Sequence, residues 1–197
     1  MIEKVMEVIR SEVNDFIGKK LNDTTNSSRV VLTSFVNENG QVAIPNDTVG
    51  LSLLNIEEER TLKSAGLIPK SVAESRCSFV SPPVWINLQI MFTAYFGNYS
   101  ESLKHLAYVL ECLQSKPVFD QTNTAGMASI TAPKLIFELN TLGLEQQHYI
   151  WAMIGLRYLP SIVYRVRMLV VFEQDVMSEV PNIKVITAIS DLQEAQD

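Results

Sequence analysis

Histidines 105 and 148, the run Glu57-Glu58-Glu59, and cysteines 77 and 112 are the side chains best suited to acid–base, metal or thiol chemistry. His105 and His148 fall in two separate helix-patterned segments, and neither HxxxH nor HExxH spacing is present, so no local pair is set to hold zinc. His105 sits beside the apolar positions of its helix and His148 close to Trp151, which predicts packing or surface roles. On a strand the middle carboxylate of Glu57-Glu58-Glu59 points opposite to its neighbours, so the three make no compact metal cage unaided. They form either a charged sheet face or, with Arg60, a salt-bridging contact to a neighbouring subunit. Cys77 and Cys112 lack CxxC spacing, which predicts two free thiols in a reducing compartment. GxGxxG, GxxxxGK[ST] and GxSxG are all missing. The expectation is a chain that is not an enzyme, with no catalytic, cofactor-binding or metal-ligating residues.

Composition narrows the classes further. The chain has 197 residues, about one domain with an appended arm, and at 47% apolar and 19% charged it is globular. Asp and Glu outnumber Lys and Arg by 22 to 16, and the basic spots, Lys19-Lys20 and Arg165-Val166-Arg167, are short. That is no footprint for nucleic acid, which needs a basic stripe. Without such a setting the aromatic strand with Trp85, Phe92, Tyr95 and Phe96 reads as core, not as a base-stacking platform. Apolar runs such as 168–172 are far shorter than the roughly 20 residues that span a bilayer, and Glu3 interrupts any apolar leader. A chain made in the cytoplasm, without membrane insertion, is expected.

The elements that must position these residues follow from periodicity. Ile2, Val5, Met6, Ile9, Val13, Phe16 and Ile17 recur at three- and four-residue spacing, an amphipathic helix ending near Gly18 with Lys19 and Lys20 at its negative end. Residues 29–37 predict a strand, 38–40 (ENG) a tight turn, and 49–60 a second strand or strand pair with Leu51 and Leu53 on one side and Ser52, Leu54 and Ile56 on the other. Residues 62–81 lack clean periodicity and read as a long loop. Residues 84–96 are the strongest strand. Asn98 opens a helix with Glu101 as capping-box partner and Leu103, Leu106, Ala107, Leu110 and Leu113 as its buried stripe. A polar crossover (119–132), a strand (134–140), a shorter helix (144–156) and a long strand (161–172) complete the order. This predicts an α/β (α+β) fold, a single mixed sheet flanked by about three helices, over residues 1–174, with a C-terminal arm at 175–197.

An ordered series of segments carries a resemblance. Residues 51–61 (LSLLNIEEERT), Pro82-Pro83 with 84–88 (VWINL), Ala94-Tyr95-Phe96 with Asn98-Tyr99, 110–119 (LECLQSKPVF), 138–142 (ELNTL), and 151–153 (WAM) through 159–168 (LPSIVYRVRM) resemble the cap, or tail-terminator, family of extracellular contractile injection systems of the antifeeding-prophage and virulence-cassette type. The resemblance spans roughly residues 1–171. It implies a six-membered ring at the end of tube and sheath away from the baseplate, a small α/β fold, no active-site residues and no cofactor. Its implied partners are other copies of the chain and sheath and inner-tube subunits.

Interface residues are then expected at Glu57, Glu58, Glu59 and Arg60, and in the arm, where Ile183, Val185, Ile186 and Ile189 would add a strand to a neighbouring cap or sheath subunit. A tail without fixed structure, or an edge strand on its own domain, are the alternatives for the arm. The alternatives for the whole chain are a baseplate or sheath adaptor of the same machine, and a small enzyme with an unfamiliar site.

Overall fold

The apolar period of the N-terminal segment folds as α1 (Ile2–Lys20), which buries Val5, Met6, Val8, Ile9, Val13 and Ile17 and ends with Lys19 and Lys20 against the negative end of its dipole. The computed structural model of the chain describes residues 1–22, 27–59, 68–73, 76–80, 84–170 and 178–181. It divides into two compact units, residues 1–63 with 84–171, and residues 64–83 with 172–197.

The first unit is built on β1 (Val30–Leu32), β2 (Thr48–Glu58), β5 (Val84–Tyr95), β6 (Val118–Asp120), β7 (Lys134–Leu139) and β8 (Ser161–Val170). They form one mixed sheet in the order β1-β2-β5-β8-β7-β6, in which only β1 and β2 run parallel. Side chains alternate across it. Val49 and Leu51 of β2, Leu88, Ile90, Phe92 and Ala94 of β5, Leu135 and Phe137 of β7, and Tyr164, Val166 and Met168 of β8 fill the main core with α1 and α2 (Tyr99–Ser115). On the opposite face Met91 and Val163 pack a smaller core with Trp151 of α3 (Leu144–Ile154), edged by Phe35, Leu54 and Leu159. The mixed, helix-flanked sheet expected from the sequence is present.

The register of β2 on β5 slips between Leu53 and Asn55, so Asn55 pairs with Gln89 and Ile56 with Leu88. Gly50 is required where β2 passes under Ile44, since a Cβ there would lie 2.8 Å from Ile44 Cγ1.

Several expectations need correction. The strand predicted over 29–37 is paired to β2 only at Val30–Leu32; beyond it, Val36 bridges Val42 around the turn at Gly40 (φ 73°). The long loop predicted over 62–81 contains β3 (Ile68–Ala73) and β4 (Arg76–Val80), an antiparallel pair that β9 (Ser178–Pro181) extends to a three-stranded sheet in the second unit. Pro69 disguised the hairpin, because proline reads as a strand breaker except at a sheet edge, where β3 lies. The polar crossover holds β6 and a 3-10 turn (Met127–Ser129), and Met127, Ile130 and Ala132 are buried.

The stripe of α2 is rotated. Ser102, His105, Leu106, Val109, Cys112 and Leu113 face the core, while Leu103 and Ala107 face out. Asn98 caps the helix by accepting the Ser100 N–H at 3.0 Å, and the Glu101 carboxylate lies beside Lys104 and His105, at 3.6 and 3.9 Å, instead of closing a capping box. The two leucines separate the readings. Leu106→Ala should cost about 2–4 kcal/mol and Leu103→Ala less than about 0.5 kcal/mol. Urea midpoints at unchanged slope measure both.

Candidate functional site

β2 and β5 position the predicted glutamates. Glu57 and Glu59 lie on one face and Glu58 on the other, as alternation requires. Glu57 Oε1 accepts from Gln89 Nε2 at 2.7 Å and Asn55 Nδ2 at 3.1 Å, and Glu59 Oε2 accepts from Asn87 Nδ2 at 3.2 Å. In register across the sheet, Asn87 faces Arg167 and Gln89 faces Arg165 on β8, and Arg167 pairs with Glu138 of β7 at 3.2 Å. The result is a transverse polar ladder over the half of this face that α3 leaves uncovered. Glu57 and Glu59 therefore have amide partners within their own chain. Arg60, Ile183, Val185, Ile186 and Ile189 lie outside the described residues.

His105 and His148 are not brought together as a pair with carboxylates. His105 is buried, stacked on Phe96 with centroids 4.3 Å apart, and its Nδ1 lies 2.8 Å from the Glu101 carbonyl oxygen. His148 is on the exposed side of α3. Among the described residues no three His, Cys, Asp or Glu side chains gather where a metal would be held, and no helix is long and apolar enough to cross a membrane. Burial pushes the Cys112 thiol from its ordinary 9.0 up to about 11, with Glu12 adding to the rise, and pushes Tyr164 from 10.0 to about 12.

At each outer strand of the six-stranded sheet, side chains bond some of the outward backbone groups. At β1 the Asn14 Oδ1 of α1 accepts from the N–H groups of Arg29, at 2.7 Å, and Val30, at 3.1 Å, while Ser28 Oγ donates to the Val30 carbonyl at 3.2 Å. At β6 the Asn123 amide spans the outward groups of the strand, donating from Nδ2 to the Val118 carbonyl at 2.9 Å and accepting the Asp120 N–H at 3.0 Å. A neighbouring strand would offer the same donor and acceptor. Asp120 Oδ1 in turn accepts from the Thr122 N–H and hydroxyl and the Asn123 N–H, which fixes the turn that carries Asn123. Those bonds, the Thr122 hydroxyl first, hold the Asp120 carboxyl below its usual range.

Apolar surface is concentrated elsewhere. Of the eleven residues of α3 only Trp151 is buried, while Leu144 (86%), Met153 (72%) and Tyr149 (62%) are exposed. Tyr158, also exposed, abuts Trp151 edge-on with centroids 5.7 Å apart. On α2, Tyr99, Leu103 and Ala107 form a second outward stripe. Between the starts of α2 and β8 lies a shallow cleft of about 260 Å³ lined by Phe96, Tyr99, Tyr158 and Pro160. Sequence reasoning missed the α3 surface. Its signal was present in residues 144–154 (LEQQHYIWAMI), which hold one acid and no lysine or arginine.

Residues 4–184 match the family described as the Pvc16 N-terminal domain. No curated protein matches the chain. The fold is similar to that of the PVC sheath/tube terminator of an extracellular contractile injection system in its extended state, with a TM-score of 0.57 and 16% identity over 94% of this chain. It is similar also to the tube-terminating cap of the anti-feeding prophage, with a TM-score of 0.55 and 15% identity over 90% of this chain. The chain spans 64% and 60% of the length of those two chains. At these identities the likeness is one of fold.

Two measurements check the chemistry of this unit. Asn123→Ala orphans the outward groups of β6, so the Asp120 amide should exchange faster and stability fall by about 0.5–1.5 kcal/mol. Because the Cys112 and Tyr164 groups ionise less readily folded than unfolded, their contribution is complete below pH 9 and is lost as pH rises through about 11 and 12. Urea midpoints should therefore fall above pH 9, and Cys112→Ser should flatten the first part of that fall.

Proposed function

The chain belongs to the Pvc16 N-terminal domain family, and on that premise we propose that it is the structural terminator of a phage-tail-like contractile injection particle. In this reading it forms a ring, six-membered as in the resemblance, that seats on the last tube and sheath layers, stops their polymerisation and couples sheath to tube. The observation that supports the reading is that the likeness to a sheath/tube terminator runs over 94% of the chain. The clustered apolar surface on α3 and α2 supports an assembly role, because exposed apolar patches of this kind mark protein contacts.

The mechanism follows from symmetry. A tube grows by heterologous contacts in which each ring offers a face that fits the next. A terminator matches the last ring on one face and offers no such match on the other. Around a ring, modest contacts per subunit add by avidity. Assembly in the cytoplasm followed by incorporation into the particle fits this role. The glutamates of β2 with Arg60, and a strand from residues 183–189, remain the proposed contacts beside the apolar faces. At Val30, Val118 and Asp120 of the six-stranded sheet that strand would have to displace Asn14, Ser28 or Asn123.

The test is polymerisation of tube and sheath subunits with and without the chain, followed by electron microscopy. The expected result is shorter tubes with the chain at the end away from the baseplate, and weaker sheath attachment when residues 182–197 are removed. Tubes of unchanged length, or the chain found only at the baseplate end, would overturn the reading in favour of an adaptor.

A further inference from the structure

α3 and α2 lie on opposite faces of the same sheet, because Trp151 packs on Met91 while the buried stripe of α2 packs with Ile90 and Phe92, and neighbouring residues of one strand point to opposite sides. Leu144, Tyr149 and Met153 on one face and Leu103 and Ala107 on the other are therefore separate, and the two surfaces come together only at the cleft that Tyr99 and Tyr158 share. A single apolar patch is covered by isologous pairing. Two different patches on opposite faces are both covered by one repeated head-to-tail contact, which closes into a ring when the rotation allows.

The size of the two patches suits such a contact. Leu144, Tyr149, Met153 and Tyr158 together expose on the order of 500 Å² of side chain, and the α2 stripe adds roughly 200 Å². At the roughly 57% apolar share typical of protein interfaces, this corresponds to a contact of about 1,200 Å², the lower bound for a stable standard-size interface. Charge on the α3 side is compatible with a second copy, and on α2 Lys104 lies between Glu101 and Glu111. The chain carries a net charge of −6, so copies repel wherever their acidic surfaces meet, yet residues 139–160 hold one acid, Glu145, and one arginine, Arg157. This is where another acidic chain approaches without that repulsion. The outward groups of Val30, Val118 and Asp120 are already bonded to Asn14, Ser28 and Asn123, so side-chain packing of helix on helix meets less competition than strand addition at those points.

We propose that the α3 face of one copy packs against the α2 face of the next, head to tail, and that this contact builds the ring. The inference rests on the ring reading above and names the surface that makes it. It would bury Met153 and Tyr149 beside Leu103.

The test uses the full chain and two single variants, Met153→Glu on α3 and Leu103→Glu on α2. Both side chains are exposed, so folding should be intact and thermal midpoints close to wild type. Masses in solution, alone and with tube subunits, are the readout. The wild-type chain should give a ring and each variant a monomer, with self-affinity reduced at least tenfold. Mixing the two variants is decisive. A head-to-tail contact leaves one intact face on each, so the mixture should give a one-to-one heterodimer that grows no further.

A wild-type ring that both variants still form, or a mixture that stays monomeric, overturns the α3–α2 contact while leaving the ring reading intact. A wild-type chain that is monomeric under every condition overturns the ring reading itself. Variants that form the ring but no longer bind tube subunits overturn the choice of a second copy and assign the face to the tube.

Discussion

Twelve residues of β5, Val84–Tyr95, hydrogen-bond to β2 on one side and β8 on the other, and their side chains alternate between two cores. Leu88, Ile90, Phe92 and Ala94 meet α1 and α2, while Met91 meets Trp151. A strand covered on both faces and paired along both edges has almost no water-accessible group in its second half, so its apolar sequence is accommodated nowhere but at the centre of the sheet. The placement of the other elements of this unit follows. β2 and β8 must flank it antiparallel, and the helices must lie on opposite faces. The polar ladder of Glu57, Asn87, Gln89 and Arg167 is confined to the stretch that α3 does not reach. There β5 changes from apolar to amide side chains on one face only.

This central layer was legible because its periods are long. Nineteen residues at helical spacing define α1, and the alternation of β2, β5 and β8 extends over ten or more residues each. Short elements were not. β6 has three residues, too few for a period, and its role depends on Asn123, whose bonds to Val118 and Asp120 appear only once the turn is folded. The β3–β4 hairpin was hidden by Pro69, an objection that holds only for central strands. On α2 two apolar phases compete, one through Leu103 and Ala107, the other through Ser102, His105 and Val109. Packing on β5 and α1 chose the second, with His105 stacked on Phe96 in a place that residue type alone would give to Leu103. The candidate surface was lost for the same reason. An outward leucine, tyrosine and methionine look like core until the helix has a sheet on its other side.

The two edges and the two helix faces are complementary halves of one constraint on association. Sheet edges pair with almost any extended chain, since the backbone carries no sequence information, and an open edge on a protein held at high local concentration invites uncontrolled growth. Asn14, Ser28 and Asn123 bond outward groups of Val30, Val118 and Asp120 within the chain and so narrow that unspecific route at those residues. Helix faces behave differently, because their contacts depend on the shape and spacing of particular side chains.

If the chain ends a polymer, as proposed, this division matters more than the strength of any one contact. Capping requires binding that stops after one layer, and stopping cannot be built from backbone pairing, which regenerates a free edge with every strand added. Side-chain contacts that run around a ring regenerate nothing once the ring closes: each α3 face would be covered by an α2 face, and the last copy would cover the first. What the closed ring then presents on its outer side is set by surfaces that took no part in closing it. A surface that offers a further ring no unpaired groups to bind, and a desolvation cost for covering it, is the physical form that a refusal to continue would take.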